Sequence, residues 1–240
     1  MMAVLAALPQ ELGPLRARLR ATASGPGVWE RDGPRGMVIL ALTGMGAEAC
    51  KRATKRLLDR YQVKVLISTG FAGALSESLR PGQVIISSSV RAPGGAPVIR
   101  LDEALMKQAL AIGEPRAVTS VTVPSAANTR KSREALRTAY RAEAVDMESY
   151  WIAEAARRRG IPCLVIRAVL DTVEQEIPEL ETEATGRIAS LLLLLAFMRS
   201  PRSLASLPSL WIRSRLAAAR LAIFITGFLD RYAETGEGDP

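Results

Sequence analysis

The residues of this chain best suited to chemistry are carboxylates standing at the ends of apolar segments. The run Pro162 to Leu170 is almost wholly apolar with recurring β-branched residues, and it predicts a parallel strand covered on both faces. Asp171 follows it directly. In open α/β sheets ligands bind beyond the carboxyl ends of the strands, where an acid could exchange a proton with a substrate. Asp171-Thr172 could equally cap the next segment. Upstream, Ala144-Val-Asp-Met-Glu-Ser149 sets Asp146 and Glu148 ahead of a helix expected over 149–159. They read as its N-cap and a first-turn acid. Glu11 stands in the first turn of a helix expected over 10–20, where the helix dipole favours an acid. Two glycine clusters, Thr43-Gly-Met-Gly46 and Gly70-Phe-Ala-Gly73, are each read as following an apolar strand. There glycine lets the backbone approach a ligand, or only makes a tight turn.

Positioning these groups needs a regular scaffold, and the chain alternates accordingly. Strands are expected over 4–7, 37–42, 64–68, 83–90 and 117–121, and helices over 10–20, 47–61, 102–112, 131–140 and 149–159. The alternation predicts an α/β fold, a mostly parallel but mixed sheet between two layers of helices. Pro/Gly-rich stretches at 24–27, 33–36 and 93–97 are read as loops. With 240 residues and 48% hydrophobic composition the chain can bury one large core, so residues 1–198 are expected to form one domain and 199–240 an extension. It has no histidine, and its two cysteines, Cys50 and Cys163, lack metal-type spacing. No metal and no other cofactor are expected, and a reduced, cytoplasmic setting is. The opening Met-Met-Ala-Val-Leu-Ala-Ala-Leu is too short and uncharged for a signal peptide and fits a first core strand.

Four segments carry a resemblance: Ser68-Thr-Gly-Phe-Ala-Gly-Ala-Leu75, Leu79-Arg-Pro-Gly-Gln-Val-Ile-Ile86, Ala144-Val-Asp-Met-Glu-Ser149 and Val165-Ile-Arg-Ala-Val-Leu-Asp171. In order and spacing, over residues 2–198, they resemble the methylthioadenosine/adenosylhomocysteine nucleosidase branch of the purine nucleoside phosphorylase superfamily. Within it the chain looks most like the hopanoid-associated members, which remove adenine from adenosylhopane. The resemblance implies a nucleoside phosphorylase-like fold, a homodimer, and release of adenine from a 5′-substituted adenosine. Such cleavage passes through an oxocarbenium-like state, with a proton for the leaving base on one side and a nucleophile on the other. By resemblance Glu11 activates the attacking water and Asp171 is the acid that serves purine N7. Glu148 would accept both hydroxyls of the ribose diol, as one carboxylate can, with Met147 packed on the sugar. Phe71, Ala72 and Gly73 would line the pocket, and Ser125 lies in the segment 123–128 where the family backbone reads adenine.

Three departures from the family pattern stand out. Pro9 and Gln10 replace acids beside Glu11, Leu170 replaces a serine before Asp171, and the Gly-Asp and aromatic residues usual near 123–128 are absent. A phosphorylase would need arginines converging on an anion site, and Glu11 would repel phosphate, so water is the expected nucleophile.

The tail is basic and apolar at once. Between Ala184 and Leu229 there are six arginines and neither acid nor lysine, which accounts for six of the net eight positive charges. The stretch 191–195 is read as the last helix of the domain. Residues 204–229, with Trp211, Phe224 and Phe228, read as a further segment that lies on a membrane surface, covers the core or meets a partner subunit. No run reaches the ~18 apolar residues that would span a bilayer. Nucleic acid is not expected, because no aromatic–basic recognition motif accompanies the charge.

Overall fold

A computed structural model describes residues 1–32, 36–125, 127, 129–172 and 201–234, with the backbone alone for 201–211. The strands are β1 (Met2–Ala6), β2 (Thr22–Gly25), β3 (Val28–Arg31), β4 (Val38–Leu42), β5 (Val65–Ala74), β6 (Val84–Arg91), β7 (Ile99–Arg100), β8 (Arg116–Thr122), β9 (Ala144–Asp146) and β10 (Cys163–Asp171). The helices are α1 (Pro9–Leu19), α2 (Ala47–Arg60), α3 (Glu103–Leu110), α4 (Arg130–Tyr140), α5 (Ser149–Arg158) and α6 (Pro201–Glu234). All ten strands join one mixed sheet in which β1 pairs in parallel with β4 and β5, and β5 with β10. β10, β6, β8, β9 and β5 close into a ring, because β5 pairs with both β9 and β10. The ring brings the ends of β5, β9 and β10 together.

Side-chain alternation assigns the two layers of helices. On β1, Met2, Val4 and Ala6 pack with Leu12, Leu15 and Leu19 of α1, while Ala3 and Leu5 pack with Cys50, Leu57 and Leu58 of α2 and with Tyr150, Ile152 and Ala153 of α5. The side chains of β1 are buried on both faces of the sheet, hence its unbroken apolar run.

Three elements depart from the sequence reading. The stretch 24–27, expected as a loop, is part of a hairpin: β2 and β3 pair antiparallel and β3 extends the sheet beside β4. Its side chains are exposed or half-buried, so it lacks the apolar signature of a core strand. The second glycine cluster does not follow β5 but lies inside it, with Gly70 to Gly73 paired to β10. The expected helix over 191–195 and most of the loop 33–36 lie outside the described residues.

The tail was left open among membrane, partner and core, and from Ala217 onward one face of α6 belongs to the core. Ala217, Leu221, Ala222, Ile225, Phe228 and Leu229 are buried against the α1 side of the sheet. Phe224 and Phe228, which the membrane alternative would have put at the lipid interface, are 8% and 0% exposed. Arg220 fastens the helix by donating to the Gly82 carbonyl at 2.9 Å. Among the described residues no helix is long and apolar enough to cross a membrane.

Candidate active site

Glu11 is the third residue of α1 and is buried. Its Oε2 accepts the Leu8 N–H and its Oε1 the Phe71 N–H, each at 2.8 Å. The first bond satisfies a donor that a helix start leaves unpaired; the second ties α1 to β5. Gly70 has φ +148°, and a Cβ on it would stand 2.6 Å from Glu11 Oε1 and 3.1 Å from Arg167 Nη1. Only glycine lets that carboxylate and that guanidinium converge on this backbone. Burial raises the Glu11 pKa above the usual carboxylate range, while Arg167 and the N–H groups of Phe71 and Leu8 pull it down. A carboxylate whose proton affinity is raised in this way suits the removal of a proton from water.

Arg167 is the only charged residue of β10 before Asp171, and it is buried. Its Nε donates to Asp146 Oδ2 at 3.0 Å, and its Nη2 donates to Ser68 Oγ at 2.9 Å and Ser149 Oγ at 2.8 Å. Nη1 has no hydrogen-bond partner among the described residues. Burial opposes the charge of Arg167, but the carboxylates of Asp146, Glu11 and Glu148 outweigh it and raise its pKa. Asp146 ends β9 and also accepts from Thr122 Oγ1 at 2.7 Å, the Ser149 N–H at 3.1 Å and the Ser149 hydroxyl. It therefore satisfies the start of α5, as a cap would, and is the counter-ion of Arg167 as well.

Glu148 follows two residues later, and its Oε1 accepts the N–H of Gly46 at 2.9 Å, just before α2. Burial lifts its pKa to about 7; Asp146 and Glu11 push the same way, and the Gly46 N–H and Arg167 push back.

Asp171, the last residue of β10, is aimed by an irregularity. Val169 pairs with Ala72 but Asp171 with Gly73, so the pairing skips Leu170. Regular alternation would send these neighbours to opposite faces; across the bulge Leu170 and Asp171 line the same cavity. A Cβ on Gly73 would press on Val145 Cγ1 at 3.2 Å and touch Asp171 Oδ1 at 3.4 Å. Oδ2 is ion-paired with Arg133 Nη2. Burial raises the Asp171 pKa, and Arg133, and then Arg213 of α6, draw it back down.

Glu11, Glu148 and Asp171 share one cavity of about 220 Å³, walled also by Phe71, Ala72, Gly73 and Met147. Every site residue expected from the sequence is there except Ser125, which is exposed; Val123 and Ala127 of the same segment line the cavity instead. Two arginines went unassigned in the sequence. Arg167 had a signal, a cation inside an apolar strand that has to find a carboxylate. Arg133 had none, because it sits in a helix with Arg130, Lys131 and Arg137. Among the described residues no cluster of acids and cysteines could hold a metal.

Residues 2–197 match the Phosphorylase superfamily. A 5′-methylthioadenosine/S-adenosylhomocysteine nucleosidase of Listeria monocytogenes is 30% identical over 164 residues, 58% of this chain and 70% of the relative. Among solved structures, futalosine hydrolase of Helicobacter pylori strain 26695 superposes with a TM-score of 0.75 at 16% identity, covering 95% of this chain and 97% of its own. The 5′-methylthioadenosine/S-adenosylhomocysteine nucleosidase of S. pneumoniae, bound to a transition-state inhibitor, does so at 0.73 and 22% identity, covering 96% and 99%.

Proposed function

This chain belongs to the phosphorylase superfamily, and on that premise we propose that it is a purine nucleosidase, hydrolysing the N-glycosidic bond of a 5′-substituted adenosine to release adenine. The observation that carries the reading is that, of the four carboxyls lining one cavity, Asp146 is taken by Arg167 and the other three, Glu11, Glu148 and Asp171, stand in three different environments. Glu11, fixed by two backbone N–H groups beside Arg167, takes the proton of the attacking water. Glu148 accepts the ribose hydroxyls, and its charge favours the oxocarbenium-like state. Asp171, whose pKa burial raises, serves the purine. A phosphate nucleophile would have to approach Glu11 and Glu148, and Arg167, ion-paired with Asp146, is left with only its buried Nη1 without a hydrogen-bond partner among the described residues.

The 5′ group is the finer part of the proposal. We favour a large apolar substituent of the hopanoid kind, acted on by a homodimer. The support is the sequence resemblance and the apolar wall of Leu8, Met45, Val123 and Leu170, with Met45 43% exposed. A small soluble substrate such as methylthioadenosine or futalosine is the second reading, favoured by the names of the relatives given above. Adenine release from methylthioadenosine and from long-chain 5′-alkyl adenosines separates the two.

Asp171→Asn tests the chemistry. Adenine release should fall by about 10²- to 10⁴-fold, the usual contribution of a positioned proton donor. The assay belongs well below the melting temperature, because the amide leaves the buried Arg133 charge without its counter-ion. Near-normal release by the folded variant rejects Asp171 as the acid.

A further inference from the structure

Arg133 is 1% exposed, so its guanidinium is removed from water. It spends its donors on separate pieces of the cavity wall. Nε donates to the Ala127 carbonyl at 2.8 Å, Nη1 to the Thr172 carbonyl at 2.6 Å and the Ala74 carbonyl at 3.4 Å, and Nη2 to Asp171 Oδ2. Arg133 and Ala127 themselves line the cavity. Filling such a place with apolar side chains is often as stable as burying an ion pair there, so packing alone gives little reason for the pair.

We propose that Arg133 is the positioning residue of the purine-side acid: through Asp171 it sets the orientation and acid strength of the group that protonates the leaving base. The inference rests on the assignment of Asp171 made above. In the step concerned, the C1′–N9 bond breaks with its electron pair passing to the purine, the Asp171 O–H bond breaks, and an N7–H bond forms. What remains is the Asp171 carboxylate, the form that the guanidinium stabilises. Arg133 therefore makes Asp171 the stronger acid in the step, and it also lowers the pH at which the acid loses its proton unproductively. The same fork holds the segment at residue 127 against the end of β10, so the purine wall and the acid keep one geometry. The charges acting on Asp171 are Arg133 from α4 and, after it, Arg213 from α6. Glu11, Asp146 and Glu148 share the cavity, with Arg167 ion-paired to Asp146 and beside Glu11, and the β5 residue paired with Asp171 is the uncharged Gly73.

The test is the pH profile of kcat for adenine release, at saturating nucleoside so that substrate binding does not enter. An opposite charge in contact typically lowers a carboxyl pKa by about 1–3 units. In Arg133→Gln the alkaline limb should accordingly move up by about one pH unit or more, while kcat on the plateau falls at least about tenfold. Arg133→Lys keeps a charge but not the fork, and its limb should lie between the two. Asp171→Asn should show no such limb in its residual activity. A lower kcat with the limb unmoved would make Arg133 a structural brace and overturn the proposal. If the Gln variant does not fold, the Lys variant decides, because a limb at the wild-type position overturns the proposal equally. Wild-type activity in Asp171→Asn would instead reject the assignment of the acid, and this proposal with it.

Discussion

At neutral pH the Glu148 carboxyl is poised between its two forms, because burial has carried its pKa to about 7. An unfolded glutamate titrates near ~4.3, so between the two values the folded protein holds a proton that the unfolded chain has released. Stability from this group is fully present below the unfolded value and is lost as pH rises through the folded one. The wild type should therefore lose about 1–2 kcal/mol more than Glu148→Gln between pH 5.5 and 8, allowing for partial exposure of the site. Denaturant unfolding at the two pH values measures this, and equal losses in the two proteins would contradict it. The ionised form that is costly to fold is the one able to accept two ribose hydroxyls. Nucleoside affinity should thus rise over the pH range in which stability declines. Glu11 and Asp171 have pKa values raised by burial as well, so the cavity stores the same conflict three times.

Among the elements, α6 shows how much depends on which face is covered. Phe228 is fully buried against the α1 side of the sheet, whereas Ile223 is 57% exposed. Phe228→Ala should cost about 3–5 kcal/mol and Ile223→Ala within about 0.5 kcal/mol, read from thermal or denaturant unfolding. Small effects at both would mean that α6 is not a core helix. The sequence hides this face because arginines and leucines alternate around the helix. It also hides the second half of β5, since Gly70-Phe-Ala-Gly73 reads as a turn and only pairing with β10 makes it a strand. β1, β4 and β10 are legible because two-sided burial demands unbroken apolar runs. The site followed the same division. Glu11, Glu148 and Asp171 stand at element ends, where local pattern reads them as first-turn acids or caps, and the family resemblance is what gave them their roles. Arg133 reaches Asp171 across 38 positions of sequence, and no local pattern marks that.

For the whole molecule, the sign of charge inside the cavity opposes the sign outside it. The chain carries a net charge of +8 and has an isoelectric point near 10.1. The cavity nevertheless gathers four acids, Glu11, Asp146, Glu148 and Asp171, and Arg167 and Arg133 are bound to Asp146 and Asp171. The surface attracts anions generally, but the site has little to offer a phosphate nucleophile and a carboxylate ready to activate water. Hydrolysis is thus the central claim, and the oxygen that ends on the sugar tests it most directly. In phosphate-free buffer a 5′-substituted adenosine should yield adenine and a free sugar with a hydroxyl at C1, at a rate that added phosphate leaves unchanged. Adenine formed only when phosphate is supplied, with a sugar 1-phosphate as the second product, would contradict the account.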